Sequence, residues 1–320
     1  MQLKTPFAAF AGFAILYHLS AILLAYFGFG IALGNVDNLT QPAILFERVL
    51  RSSIFLLIAF FLVLIYYWRS VSVVEGLLAL VAISIFTPGF SIFKSLMPFA
   101  MPFYADPYLA DLDWFFNLGM DGYERLDNAG LVPSAKIMAL FYGPIWLTAS
   151  LVLPIFIGLF DPNKNRRWRF VSMLLVSWVV LGNLVALLGL SVGPIYYERV
   201  YDDPRFAPFL DFFNSAGLAD TFVDDTQDFL WQMHAAGTPW IGTGISAFPS
   251  VHVAIATTAA LYAFDVHRWL GLIGFAFVAI IQVLSVATGY HYALDGYFSI
   301  LFISLFWLWH KKQFTPDKPV

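Results

Sequence analysis

Three side chains in the last part of the chain have the types and the spacing for acid–base and nucleophilic chemistry. His252 lies two positions after Ser250 in Gly244-Ile245-Ser246-Ala247-Phe248-Pro249-Ser250-Val251-His252, directly ahead of the apolar run 253–264. Serine is a favoured helix N-cap, and the free amides of a first helical turn, backed by the helix dipole, form a site for an anion that the histidine can also reach. His291 and Asp295 stand in Thr288-Gly289-Tyr290-His291-Tyr292-Ala293-Leu294-Asp295-Gly296, and residues four apart share a helix face. The carboxylate can accept from one ring nitrogen of His291, leaving the other as a free base or nucleophile. Either segment alone has a structural explanation: a capped helix start in one case, a stabilising hydrogen bond in the other. The question is whether the fold brings them together.

Composition defines the elements that would do so. Of 320 residues, 60% are hydrophobic and only 12% charged, against roughly 45–50% and about 25% in soluble domains. Aromatic residues make up 18%, with 10 Trp and 15 Tyr, a supply suited to rings at two lipid–water interfaces. The apolar runs lack period-2 alternation and are about 17–25 residues long, the length a helix needs to cross a bilayer. These features predict an all-α, polytopic transmembrane bundle of about eight spans, at roughly 7–28, 50–68, 75–93, 136–160, 170–191, 250–266, 269–288 and 293–310. The first run continues from Pro6 to about Leu33, too long for a signal-peptide core. The absence of Cys excludes disulfides and thiol chemistry, and a net charge of −4 without a basic, aromatic-interleaved run argues against nucleic acid as a partner.

Charge then orients the bundle. The segment Asp161-Pro162-Asn163-Lys164-Asn165-Arg166-Arg167-Trp168-Arg169 is the densest in positive charge, which predicts that it is cytoplasmic. By parity Lys4, Arg69, Arg268, Lys311 and Lys312 fall on the same side, and both termini are expected there. The acidic segments 94–135 and 192–248 then lie outside. Within them, Tyr108 to Leu118 and Phe209 to Phe213 place apolar residues at helical spacing, predicting amphipathic helices on the membrane surface. With helix six running inward from Ser250 and helix eight starting near His291, both candidate segments meet at the outer boundary. Two histidines and a carboxylate at one depth of a membrane bundle are costly unless they serve a function.

The Pro249-Ser250-Val251-His252 and His291-Tyr292-Ala293-Leu294-Asp295 segments resemble the Pro-Ser-x-His and His-x-x-x-Asp boxes of the type 2 phosphatidic acid phosphatase superfamily. The resemblance covers the chain from about residue 136, which divides it into N-terminal spans with an outer amphipathic loop (1–135) and a catalytic helix bundle (136–320). It implies that His291 attacks phosphorus to form a phosphohistidine, Asp295 fixes its tautomer, and His252 protonates the leaving oxygen. Two His and one Asp could ligate zinc, but nothing resembles His-Glu-x-x-His and the acidic loops lack a calcium-loop spacing, so no metal or other cofactor is expected. The phosphatases of this family usually carry Ser-Arg where this chain has Leu284-Ser285, and a Lys-x6-Arg-Pro box is missing. In both respects the chain looks more like the inositol phosphorylceramide synthase and sphingomyelin synthase branch, which moves a phospho-headgroup between lipids. Gly193-Pro194-Ile195-Tyr196-Tyr197 is similar to that branch's Pro-x-aromatic-Tyr stretch.

Phosphoryl transfer also needs charge stabilisation on the equatorial oxygens. In place of the family arginine, the candidates are the amides near Ser250, the hydroxyls of Tyr196, Tyr197, Tyr290 and Tyr292, and the cations Arg199, Arg205, Lys94 and Lys136. Arg199 is preferred because it follows the end of helix five. The expected function is a lipid phosphotransferase acting on a lipid phosphate or phospholipid donor with a lipid hydroxyl as acceptor. The alternatives are a lipid phosphate phosphatase and, from another class, a lipid transporter, which would show inverted repeats and broken helices at the midplane. Reporter fusions after Arg167, Arg268 and Lys312 are expected to read cytoplasmic, and fusions within 111–128 or 202–228 to read outside. An inside signal from 202–228 would remove the shared boundary of the two boxes.

Overall fold

The computed structural model describes residues 5–30, 72–237 and 244–313. The expected span at 50–68, together with Lys4 and Arg69, lies outside the described residues. Among the described residues all regular elements are helical. In chain order they are α1 (Pro6–Gly28), α2 (Val73–Ala100), α3 (Asp106–Phe116), α4 (Gly122–Asn128), α5 (Ala135–Phe160), α6 (Lys164–Leu188), α7 (Tyr197–Tyr201), α8 (Ala207–Ser215), α9 (Phe222–Ala235), α10 (Val251–Val266), α11 (Arg268–Ala287) and α12 (Ala293–Gln313). Six of them, α1, α2, α5, α6, α11 and α12, are long and apolar enough to cross a membrane, and α10 is apolar but shorter. With 16 residues, α10 rises only about 24 Å, less than the roughly 30 Å of a hydrocarbon core.

Several boundaries differ from expectation for local reasons. α2 continues to Ala100 rather than ending at 93, so Lys94 and Ser95 belong to a helix and not to a loop. It stops there because Met101 precedes Pro102: the proline ring disfavours helical geometry in the residue before it, and Met101 is extended (φ −144°, ψ 144°). α6 begins at Lys164, so the basic segment forms its first turns behind the N-cap Asn163, whose side chain accepts from the Arg166 amide. α5 widens into π-helical geometry over Phe141–Ile145, with Pro144 inside, and again over Thr148–Val152. α6 does so over Val176–Val185.

The core is built around α10. Its neighbour α11 crosses it at close range, since a Cβ on Gly274 would lie 2.6 Å from the Ala260 Cα. Ser177 and Thr258 hydroxyls join α6 to α10 at 3.0 Å. α1 packs on α2 through aromatic contacts, with Phe10 5.6 Å and Tyr17 4.9 Å from Phe86, and the Tyr17 hydroxyl donates to Asn183 of α6. One end of the bundle gathers its ion pairs, Arg166 with Asp161 at 2.5 Å and Arg169 with Asp265 at 2.6 Å, and Tyr262 and Trp307 donate to the same two carboxylates.

The other end is closed by α3, α4, α8 and α9. Here a single carboxylate collects four groups: Asp106 accepts from the amides of Val192 (2.9 Å) and Gly193 (2.8 Å) and from the hydroxyls of Tyr201 (3.0 Å) and Tyr292 (2.9 Å). Burial raises its pKa, and the hydrogen bonds oppose that rise. Gly193 needs its φ of 82°, and a Cβ there would lie 2.5 Å from the Tyr290 carbonyl oxygen, so a side chain is excluded on both counts. Asp106→Ala leaves these donors buried without an acceptor. With about 1–3 kcal/mol for each unsatisfied group, it is expected to lower the apparent melting temperature in detergent clearly, while Asp106→Asn, which keeps an acceptor oxygen, loses less. Unchanged melting of Asp106→Ala would show that the network is not holding this end together.

Candidate active site

The chain enters α10 from a non-helical segment, three of whose amides are committed to protein partners. Ala247 N–H donates to the Ser191 carbonyl (2.9 Å), Phe248 N–H to the Ser191 hydroxyl (2.9 Å), and Ser250 N–H to the Asp295 carbonyl (3.3 Å). Irregular backbone at membrane depth requires this. Ser250 is the N-cap, its hydroxyl oxygen accepting from Val253 N–H at 3.4 Å, and its carbonyl accepts from Ser299 at 2.9 Å. The starts of α10 and α12 are therefore bonded to each other, which brings the two histidine segments together.

His252 sits in the first turn of α10 against two rings of α5. Tyr142 stacks on it at 4.2 Å with an interplanar angle of 11°, and Trp146 lies 4.2 Å away while its indole N–H donates to the His252 carbonyl at 3.0 Å. Opposite, His291 Nδ1 is 3.2 Å from Asp295 Oδ2, and the same oxygen accepts from Tyr292 N–H at 3.1 Å. The two imidazole centroids are 6.3 Å apart. His291 and Asp295 are buried, whereas Lys94, Tyr142, His252 and Tyr290 are partly accessible. The His291–Asp295 pair thus forms the floor of the site.

Burial, followed by the nearby Lys94 charge, pushes the His291 pKa down to about 3, and the Ala247 carbonyl acts in the opposite sense. The ring is therefore neutral near pH 7. With its one proton on Nδ1, donated to Asp295, the Nε2 lone pair is available as a nucleophile. The first turn of α12 is fixed from outside by Asp113, which accepts from Leu294 N–H (2.7 Å) and Gly122 N–H (3.1 Å); burial raises the Asp113 pKa to about 6.

Of the residues expected at a phosphate, Ser250 and Tyr290 are with the histidines, the Tyr290 ring lying parallel to Tyr142 at 6.4 Å. Tyr196, Tyr197, Tyr292, Arg199 and Arg205 have partners in the cap. Tyr196 donates its hydroxyl to the Gln227 carbonyl at 2.8 Å, and Arg199 bonds to Asp228 at 3.4 Å above the Tyr196 and Trp231 rings. Tyr197 packs between Tyr201 (4.8 Å) and Phe206 (5.1 Å), and Arg205 bonds to Asp111 at 2.5 Å. Tyr142 and Trp146, the rings that hold His252, escaped the sequence reading. Their trace is two aromatics four apart around Pro144, a pattern common in any membrane helix.

The fold thus brings a capped helix start carrying one histidine against a buried histidine–carboxylate pair inside an apolar bundle, an arrangement of groups suited to acid–base and nucleophilic chemistry. A family model described as the PAP2 superfamily matches residues 130–309, more than half of the chain, including Tyr142, Trp146, Ser250, His252, Tyr290, His291 and Asp295. The chain belongs to the PAP2 superfamily, and membership points to phosphatase or phosphotransferase chemistry on lipid phosphates. No curated protein and no solved structure matches the chain.

The His291 shift has a direct readout. Its folded pKa lies below the ordinary value of 6.5. The stability contributed by the neutral ring is therefore fully present above about pH 6.5 and is lost progressively as the pH falls toward 3. In ¹⁵N-histidine NMR of the protein in micelles, the resonances that vanish in His291→Gln are expected to keep neutral-ring shifts at pH 5. A midpoint near 6.5 would show that this ring is hydrated.

Proposed function

We propose that the protein is a lipid phosphotransferase that takes a phospho-headgroup from a phosphodiester lipid and delivers it to a lipid hydroxyl at the non-cytoplasmic face. The observation that carries the reading is the neutral His291, bonded to Asp295, facing His252 across 6.3 Å. A phosphoryl group bound beside both rings can be approached by a nitrogen of each. The Nε2 lone pair of His291 forms an N–P bond while the P–O bond to the donor's leaving alcohol breaks, its electron pair staying on oxygen. His252 gives that oxygen a proton. In the second half the acceptor hydroxyl loses its proton to His252 and forms a new O–P bond, and the N–P bond breaks to restore His291. Asp295 stabilises the cationic ring whenever it forms. Splitting the displacement in this way replaces one hard step by two easier ones.

The donor class follows from charge. Position 285 is a buried serine whose hydroxyl donates to the Gln282 carbonyl at 2.8 Å, so no guanidinium stands there. A pocket of lower positive charge suits a diester with one negative charge better than a monoester with nearly two. The orientation rests on the basic start of α6, and the exposed Tyr108, Leu112, Phe115 and Phe116 of α3 suit a helix lying on the membrane surface beside the lipid entrance. The reaction written above draws on no metal ion.

Purified protein given phospholipid or glycophospholipid diesters with and without a hydroxylated lipid, and read by mass spectrometry, is expected to give more turnover with the acceptor than with water alone. EDTA should leave the reaction intact. His291→Ala and His252→Ala should each reduce it at least about 10²-fold, and Asp295→Asn less than His291→Ala. Rapid hydrolysis of phosphatidic acid or a polyprenyl phosphate, with no transfer product, would replace the transferase by a phosphatase on the same residues.

A further inference from the structure

The charge that faces the substrate phosphate is the missing part of this site, and a helix outside the family match supplies a candidate. Phe90 and Lys94 lie four apart on α2 and so share a face. The Phe90 ring packs edge-on against Trp178 at 4.5 Å, Trp178 lies 6.0 Å from Trp146, and Trp146 lies 4.2 Å from His252. Phe90 and Val251 also meet over Gly182, where a Cβ would lie 2.8 Å from Phe90 Cε2 and 2.9 Å from Val251 Cγ2. Phe90 is therefore level with Val251, and Lys94, one turn further along α2, reaches the level of the cap and His252. The segment entering α10 touches Lys94 directly, since a Cβ on Gly244 would lie 2.3 Å from the Lys94 carbonyl oxygen.

Two donors at this level have no partner. Among the described residues Lys94 has neither a hydrogen bond nor an ion pair, whereas Arg166, Arg167, Arg169, Arg199 and Arg205 each face a carboxylate. The Tyr142 hydroxyl is shielded from solvent and is likewise without a partner among the described residues. Its ring is the one stacked on His252, and the Lys94 charge acts on both imidazoles. An ammonium with no carboxylate beside it in an apolar bundle is costly unless an anion arrives to pair with it.

We propose that the Lys94 ammonium and the Tyr142 hydroxyl hold the non-bridging oxygens of the substrate phosphate, so that the cation of this site comes from α2 and not from the matched region 130–309. The inference rests on the lipid-phosphate reading above. It accounts for a site without the family arginine: one ammonium and one neutral hydroxyl match a phosphate bearing a single charge.

The test uses the full chain in detergent, with inorganic phosphate as the probe, its binding followed by ³¹P line broadening and its melting temperature by a thermal shift. Lys94→Met is expected to weaken phosphate at least about 10-fold, the scale of one charge-assisted hydrogen bond, and Lys94→Arg to restore most of that loss. Tyr142→Phe, which keeps the stacked ring, should weaken it about 3-fold or more. His291→Ala should keep phosphate binding while losing turnover, and Lys164→Met on the cytoplasmic basic turn should change neither. Equal binding by Lys94→Met overturns the assignment of Lys94 and leaves the histidine mechanism standing. Loss of binding that Lys94→Arg does not recover, with a lowered melting temperature, makes the residue structural and overturns it equally. No phosphate binding by the unmodified protein removes the lipid-phosphate reading as well.

Discussion

The arrangement of this protein turns on one buried carboxylate. Asp106 lies outside the membrane helices, at the start of α3, yet it accepts from the turn at Val192 and Gly193 and from Tyr292, the neighbour of His291. A buried charge is tolerated only when its lone pairs are filled, and here the donors come from three places in the chain: the Val192–Gly193 turn, Tyr201 and Tyr292. Moving any one of them breaks a charge-assisted bond in a low-dielectric place, so the four positions are fixed together. His291 inherits that rigidity. Its ring orientation comes from Asp295, while the backbone that carries it is held by Tyr292 on Asp106 and by Leu294 on Asp113.

The opposite wall is held by packing. Tyr142 and Trp146 clamp His252 between two ring faces, and they do so from a helix that has widened around Pro144. Proline removes one amide from the ladder, and a π-helical turn redistributes the neighbouring bonds while rotating the residues that follow. The result is a site with one rigid polar side and one rigid aromatic side.

How much of this was legible in the sequence follows from the range of each interaction. Ser250 capping α10 and Asp295 pairing with His291 are contacts within one helical turn, and such pairs can be read from spacing alone. The helices are legible for the same reason, since each apolar run reports its own length. Asp106, Tyr142 and Trp146 act on partners more than a hundred residues away or in another helix, and no local pattern distinguishes them from ordinary loop acids and membrane aromatics. Arg199 shows the converse. Its closeness in sequence to the end of α6 suggested a phosphate ligand, whereas the fold gives it Asp228 and the rings of Tyr196 and Trp231.

Together these contacts indicate why the N-terminal part of the chain cannot be peeled away from the catalytic part. The family match begins at residue 130, but α2 packs on α6 through Phe90 and Trp178, and α3 reaches the start of α12 through Asp113 and Asp106. A helix added to a membrane bundle gains little from apolar contact with its neighbours, because lipid offers nearly the same surroundings. What holds it is shape and polar bonding, and those bonds are concentrated around the histidines. The added helices are therefore tied by shape and polar bonding to the part of the chain that carries the two histidines.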